Sequence, residues 1–279
     1  MTILKNIHLI GSNGKPFLLD LFVEKSNSPK PLVIFAHGFK GFKDWGCWDL
    51  VAKTFAKQGF VFIKFNFSHN GTTVDKPNDF ADLEAFGNNN FEKELFDLGK
   101  VIDWIFNRNI GVSISEINCN KVYLIGHSRG GGSTILKAAN DARVAKIATW
   151  AAQSDFSVYF VDKENWEKKG VRYILNGRTK QYMPLYWQFA QNYFSNTQKF
   201  NIETAAKKLK QPFLIVHGTD DPAVPINSAQ NLAKWNQNAQ TLLIEGANHV
   251  FGGAHPYQSN VLPNHLNQVV NQTIAFFKA

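Results

Sequence analysis

Six short runs of β-branched and aromatic residues recur along the chain with helical stretches between them, and this alternation limits the fold more than any other feature. The runs are "PLVIFAH" (31–37), "FVFIKFNF" (60–67), "KVYLIGH" (121–127), "AKIATWAA" (145–152), "PFLIVHG" (212–218) and "QTLLIEGA" (240–247). Most are apolar at nearly every position rather than at every second one. Such strands are buried on both faces, which is the condition of a mostly parallel sheet covered by helices on each side. Phe91, Leu95, Leu98, Ile102 and Ile105 recur at helical spacing, as do Leu266, Val269, Val270, Thr273, Ile274 and Phe277. "CWDLVAKTFAKQG" predicts a further helix closed by Gly59. Two earlier runs, around Lys5–Ile10 and Phe17–Val23, flank "GSNGK" and predict an antiparallel hairpin at the sheet edge.

One stretch breaks the alternation. About 55 residues, 155–210, lie between the fourth and fifth of these runs and are rich in Trp, Tyr and Phe. A structureless loop of that length is improbable inside a compact domain, so the stretch is expected to be a small helical cap or lid. Most of its aromatics should pack the insertion onto the main body, with Trp187 and Tyr182 as candidates to line a pocket. With 279 residues, of which 44% are hydrophobic and 19% charged, the chain reads as a single domain over 1–279 carrying this insertion.

The residues that carry chemistry sit at the ends of the predicted strands. In "LIGHSRGGGST" Ser128 stands between a strand and a stretch able to form a helix. Small residues at Gly126, Gly130 and Gly131 suit a strand-to-helix turn tight enough to strain the serine backbone. A serine hydroxyl is a poor nucleophile until a base takes its proton. "IEGANHVFGG" supplies His249 in a loop after a strand, with His255 and His265 as later substitutes. The imidazole in turn needs a carboxylate to fix its tautomer, and "LIVHGTDDPAVP" offers both Asp220 and Asp221. The order serine, aspartate, histidine is that of the strand-turn-helix serine hydrolases. The developing oxyanion requires donors, for which the backbone N–H groups of Arg129 and of Phe39 in "HGFKGFKDW" are the candidates. His37 is expected to hold structure by hydrogen bonding.

Taken together, "HGFKG", "GHSRGG", "HGTDDPAVP" and "GANHVF" resemble the oxyanion loop, nucleophile elbow, acid loop and histidine loop of the α/β-hydrolase superfamily. The resemblance runs from about residue 31 to the C-terminus and implies an α/β fold, with a mostly parallel central sheet, helices on both faces and a small helical cap insertion. It aligns the acid with Asp221, giving Ser128, Asp221 and His249 as the catalytic set. The short cap and the "HGF" loop are similar to bacterial cinnamoyl/feruloyl esterase-like proteins and to acylaminoacyl-peptidase-like catalytic domains. The implied activity is carboxylic ester hydrolysis on small or aromatic esters, with peptidase or amidase action as the alternative. A large propeller domain, usual in oligopeptidases of this type, has no room in this chain. A non-catalytic ligand-binding protein on the same fold is the second alternative.

No metal and no organic cofactor is needed for this chemistry. The net charge of +8 is scattered rather than clustered, which argues against nucleic acid as a partner. A local excess of ten basic over four acidic residues between Asp162 and Lys210 suits a solvated surface or the steering of an anionic substrate. The expected partner is a small ester, without membrane association; the oligomeric state is open, a homodimer being one option. Cys47 and Cys119 form no framework, and the N-terminus lacks the pattern of a secretory signal, so a cytoplasmic location is expected.

Overall fold

The computed structural model describes residues 1–26, 28–107 and 116–279. The chain opens with strands β1 (Thr2–Ile10) and β2 (Pro16–Val23), paired antiparallel with Ile10 opposite Pro16. It then alternates through β3 (Lys30–Ala36), α1 (Trp48–Lys57), β4 (Val61–Phe65), α2 (Leu83–Gly87), α3 (Phe91–Phe106), β5 (Ile117–His127), α4 (Arg129–Ala138) and β6 (Val144–Trp150). After these come α5 (Lys163–Lys169), β7 (Val171–Leu175), β8 (Tyr182–Tyr186), α6 (Trp187–Ser195) and α7 (Ile202–Lys208). Strand β9 (Phe213–Gly218), helix α8 (Asn227–Trp235), strand β10 (Gln240–Ile244) and helix α9 (Asn264–Lys278) complete the body.

Eight strands form one sheet in the order β1-β2-β4-β3-β5-β6-β9-β10. The pairs β1/β2 and β2/β4 are antiparallel, and every pair from β4 to β10 is parallel. The two-residue period of a strand sends alternate side chains to opposite faces. Leu32, Ile34, Val122, Leu124, Phe213 and Ile215 therefore face α3, α4 and α8, whereas Val33, Phe35, Tyr123, Ile125, Leu214 and Val216 face α1 and α9. Helix α1 buries Trp48, Val51, Ala52, Phe55 and Ala56, a single stripe at helical spacing. It ends as expected at Gly59 (φ +90°): the Gly59 N–H donates to Ala56 O at 3.1 Å and the Phe60 N–H to Phe55 O at 3.2 Å. Because the central strands run parallel, the ends of β3, β5, β9 and β10 open on one rim of the sheet.

The stretch between β6 and β9 departs from the helical expectation. Besides α5, α6 and α7 it contains an antiparallel hairpin, β7 with β8, in which Leu175 lies opposite Tyr182. The Asn176–Gly177 pair opens the turn, the Asn176 N–H donating to Gln181 O at 2.8 Å. Asparagine followed by glycine is a strong hairpin signal, here hidden between aromatic runs. Most aromatics of this stretch do pack inward. Phe91 of α3 stacks on Phe156 at 3.9 Å between centroids and meets Phe189 at 4.9 Å. Among the described residues, no helix is long and apolar enough to cross a membrane.

Candidate active site

Strand β5 passes into α4 through one residue, Ser128. Its backbone has φ 56° and ψ −122°. A non-glycine residue held there costs about 1–3 kcal/mol and persists only when its surroundings over-determine it. Here the Ser128 N–H donates to Trp150 O at 2.9 Å, while Ser128 O accepts from Gly131 N at 3.0 Å and Gln153 N at 3.2 Å. The loop after β3 presses against this turn. A Cβ at Gly130 would lie 2.4 Å from Ala36 O, and one at Gly38 would lie 2.8 Å from the Ser128 Cβ. Glycine at both positions lets the two backbones meet, and Phe39 follows directly.

Asp221 and His249 come from the loops after β9 and β10. The His249 Nδ1–H donates to Asp221 Oδ2 at 2.7 Å. The other carboxylate oxygen, Oδ1, accepts the N–H groups of Ala223 and Val224, each at 2.8 Å. Burial raises the Asp221 pKa, but the bond from His249 and the two backbone donors outweigh it, and the net shift is downward. The carboxylate is held as an anion. Asp220 is exposed and accepts from the Thr219 hydroxyl at 3.1 Å, so it is Asp221 that meets the imidazole. His255 instead accepts from Gly46 N at 2.9 Å, and His265 lies on α9.

With Nδ1 committed to Asp221, the free Nε2 of His249 is the atom able to take a proton. Ser128 and His249 line one cavity of about 200 Å³ with Gly38, Phe39, Trp48 and Arg178. No hydrogen bond joins the two in this resting geometry among the described residues; such contacts tighten in substrate complexes. Arg129 opens α4, so its N–H has no intrahelical acceptor. The Phe39 ring meets Phe86 and Tyr159 at 5.5 and 5.4 Å.

The Arg129 side chain is buried and paired with Glu94 of α3, Nη2 to Oε1 at 2.9 Å and Nε to Oε2 at 3.1 Å. Its guanidinium carbon lies 4.6–5.1 Å from the ring centroids of Phe39, Phe91, Tyr159 and Phe189. The side chain therefore ties the turn to α3 and to the insertion, a role invisible from local sequence because Glu94 lies 35 residues away.

Two histidines complete the surroundings. His37 donates from Nδ1 to Gly38 O at 2.8 Å and accepts at Nε2 from Asn70 Nδ2 at 3.4 Å. Burial pushes its pKa down to about 4, so it braces the loop as a neutral ring. His127, which the sequence reading passed over, donates from Nε2 to the main-chain oxygen of His249 at 2.9 Å. Burial lowers its pKa to about 3, with repulsion from His249 adding to the effect. A neutral His127 can steady the His249 loop without opposing its charging. The signal for it was its position at a strand end beside Ser128.

Neither Trp187 nor Tyr182 reaches the cavity. Trp187 packs on Trp166 at 5.8 Å and Tyr182 is 67% exposed, while Asn176 and Arg178 of the hairpin turn line the cavity instead. Among the described residues one cluster of acids, Asp20, Asp44 and Asp49, has the spacing of a cation site. Lysine ammoniums fill it: Lys64 Nζ lies 2.8 Å from Asp20 and 2.7 Å from Asp49, and Lys43 Nζ 2.9 Å from Asp20.

A model of the alpha/beta hydrolase family matches residues 33–258. A putative esterase/lipase of Mycoplasma genitalium is 25% identical over 86% of this chain and 90% of its own length. Epoxide hydrolase 1 of Caenorhabditis elegans is 23% identical over 90% of this chain and 67% of its own. Across the curated relatives it matches, the chain spans from 36% to 90% of their length. The structure of Est1E from Butyrivibrio proteoclasticus with ferulic acid bound superposes with a TM-score of 0.71 at 20% identity, covering 98% of each chain.

Proposed function

We propose that this chain, which belongs to the alpha/beta hydrolase family, is a serine hydrolase of carboxylic esters, working through an acyl-enzyme on Ser128. His249 Nε2 takes the Ser128 proton as Oγ attacks the ester carbonyl, and Asp221 holds the ring and balances the imidazolium. The N–H groups of Phe39 and Arg129 receive the oxyanion. His249 then protonates the departing alcohol, activates a water, and the acid is released. None of these steps calls on a metal or an organic cofactor.

The observation that carries the reading is the 2.7 Å bond from His249 to a buried, thrice-bonded Asp221, on the cavity that holds the strained Ser128. The likeness to a putative esterase/lipase agrees with it. Epoxide opening of the usual kind begins with a carboxylate nucleophile, whereas position 128 is serine. A cavity of about 200 Å³ is below the roughly 300–1,000 Å³ of sites for drug-sized ligands, which favours small or single-ring aromatic esters. The insertion over 155–210 acts in this reading as a cap, and two free cysteines favour a cytoplasmic location. Fluorophosphonate labelling tests the proposal: the wild type should be modified at Ser128 and Ser128→Ala should not. An unreactive wild type would overturn it.

A further inference from the structure

Two cations face the candidate active-site cavity from different elements. Lys40 follows Phe39 in the loop after β3, and Arg178 lies in the β7–β8 turn. Among the described residues, no aspartate or glutamate lines this cavity and neither Lys40 nor Arg178 forms an ion pair. Lys40 is half-buried and Arg178 exposed, whereas the most deeply buried cations among the described residues are paired. Lys43 and Lys64 are matched to Asp20, and Arg129 to Glu94.

We infer that Lys40 and Arg178 form a subsite for an oxyanion, a carboxylate or a phosphate, carried by the ester that Ser128 attacks. The inference rests on the ester-hydrolase reading and deepens it. Lys40 is half-buried, and among the described residues its Nζ has one hydrogen-bond acceptor, Leu175 O, at 3.5 Å. Burial alone lowers its pKa, with no carboxylate acting to restore it. A cation left in that condition gains most from an anionic ligand. Arg178 is exposed on the turn and rests against two rings rather than an anion: its guanidinium carbon lies 5.4 Å from the Phe42 ring and 5.8 Å from the Phe80 ring. Contacts to ring faces leave the guanidinium N–H groups available to a ligand, and their planar fork matches carboxylate and phosphate oxygens. The turn itself is fixed, since the Arg178 N–H donates to Asn176 Oδ1 at 3.1 Å and the Lys180 N–H to Asn176 O at 2.8 Å.

The small cavity sharpens the substrate class. An ester filling about 200 Å³ and touching both Ser128 and the hairpin turn has its charged group a few bonds from the scissile carbonyl. Short half-esters of dicarboxylic acids fit that description, as do short phosphono-acyl esters.

The test compares mono-4-nitrophenyl succinate with its methyl ester, an uncharged counterpart of the same skeleton, and repeats the comparison with 4-nitrophenyl 3-phosphonopropanoate. The readout is the ratio of kcat/KM, anionic over neutral, which cancels any loss of folded enzyme. The wild type should favour an anionic ester. Arg178→Gln and Lys40→Gln should each lower the ratio about tenfold, the size of one charge-assisted hydrogen bond, and Arg178→Glu should bring it below one. Whichever anionic ester shows the larger ratio identifies carboxylate or phosphate. Lys180→Gln, in the same turn but off the cavity, should keep the wild-type ratio. A wild-type ratio at or below one, or an equal fall in Lys180→Gln, overturns the subsite while ester hydrolysis stands. Hydrolysis of neither ester, with no fluorophosphonate labelling, overturns the underlying reading instead.

Discussion

Replacing Asp221 with asparagine removes a charge while keeping the shape of the side chain. In the wild type Oδ1 accepts two backbone N–H groups at 2.8 Å, so the amide oxygen of the variant will keep that side and its NH2 will face His249. An NH2 can only donate, so His249 Nδ1 must become an acceptor and its proton must move to Nε2. That is the nitrogen required to take the Ser128 proton. The ring is then held in the wrong tautomer, and the imidazolium loses the anion 2.7 Å away. The expected fall in kcat is about 10⁴-fold, the size seen where a triad aspartate becomes asparagine, and equals about 5 kcal/mol of barrier. KM should change little. Asp220→Asn, at an exposed carboxylate, should stay within about twofold of wild type. Stopped-flow measurement of the nitrophenolate burst with 4-nitrophenyl acetate separates acylation from turnover, and a thermal melt checks folding. A folded Asp221→Asn keeping more than about a tenth of wild-type kcat would refute the reasoning, as would an equal collapse in Asp220→Asn.

Three further outcomes follow from the surroundings of the site. Glu94→Ala leaves Arg129 buried without its anion and should cost about 3–5 kcal/mol of stability in urea unfolding; a loss within about 1 kcal/mol would count against a structural ion pair. Gly130→Ala places a methyl 2.4 Å from Ala36 O and must push the loop of Phe39 away, so kcat should drop about 10²-fold with the elbow still present; unchanged kcat would remove Phe39 from the oxyanion site. His127 is neutral when folded, its pKa being lowered to about 3, but it titrates near 6.5 when unfolded, so protons favour the unfolded chain as pH falls below 6.5. Between pH 7 and pH 5 this removes about 2 kcal/mol of stability, and His127→Gln should show a pH dependence shallower by that amount in denaturant titrations.

The fold was legible where burial is expressed locally. Runs such as "PLVIFA" and "FLIVHG" are apolar on both faces because the strands they form, β3 and β9, are covered on both faces. The placement of the candidate site was legible through spacing, since Ser128, Asp221 and His249 each follow a strand that ends on the same rim. What stayed hidden depends on distant partners. Choosing Asp221 over Asp220 from the residues alone would have required knowing that the Ala223 and Val224 N–H groups turn toward the first of them. The burial of Arg129 is set by Glu94 and by rings from α3 and the insertion. The β7–β8 hairpin was masked because its strands carry the same aromatic composition as the helices around them. The pocket candidates Trp187 and Tyr182 lie off the cavity, and it is the hairpin turn that brings Asn176 and Arg178 to it.

The most direct measurement of the central claim is rapid-quench mass spectrometry of the protein mixed with a slowly deacylating 4-nitrophenyl ester. The account predicts a transient gain of one acyl mass, located by peptide mapping to the segment containing Ser128 and absent in Ser128→Ala. Turnover of the ester with no acyl mass at any time, or with the acyl group on another residue, would contradict it.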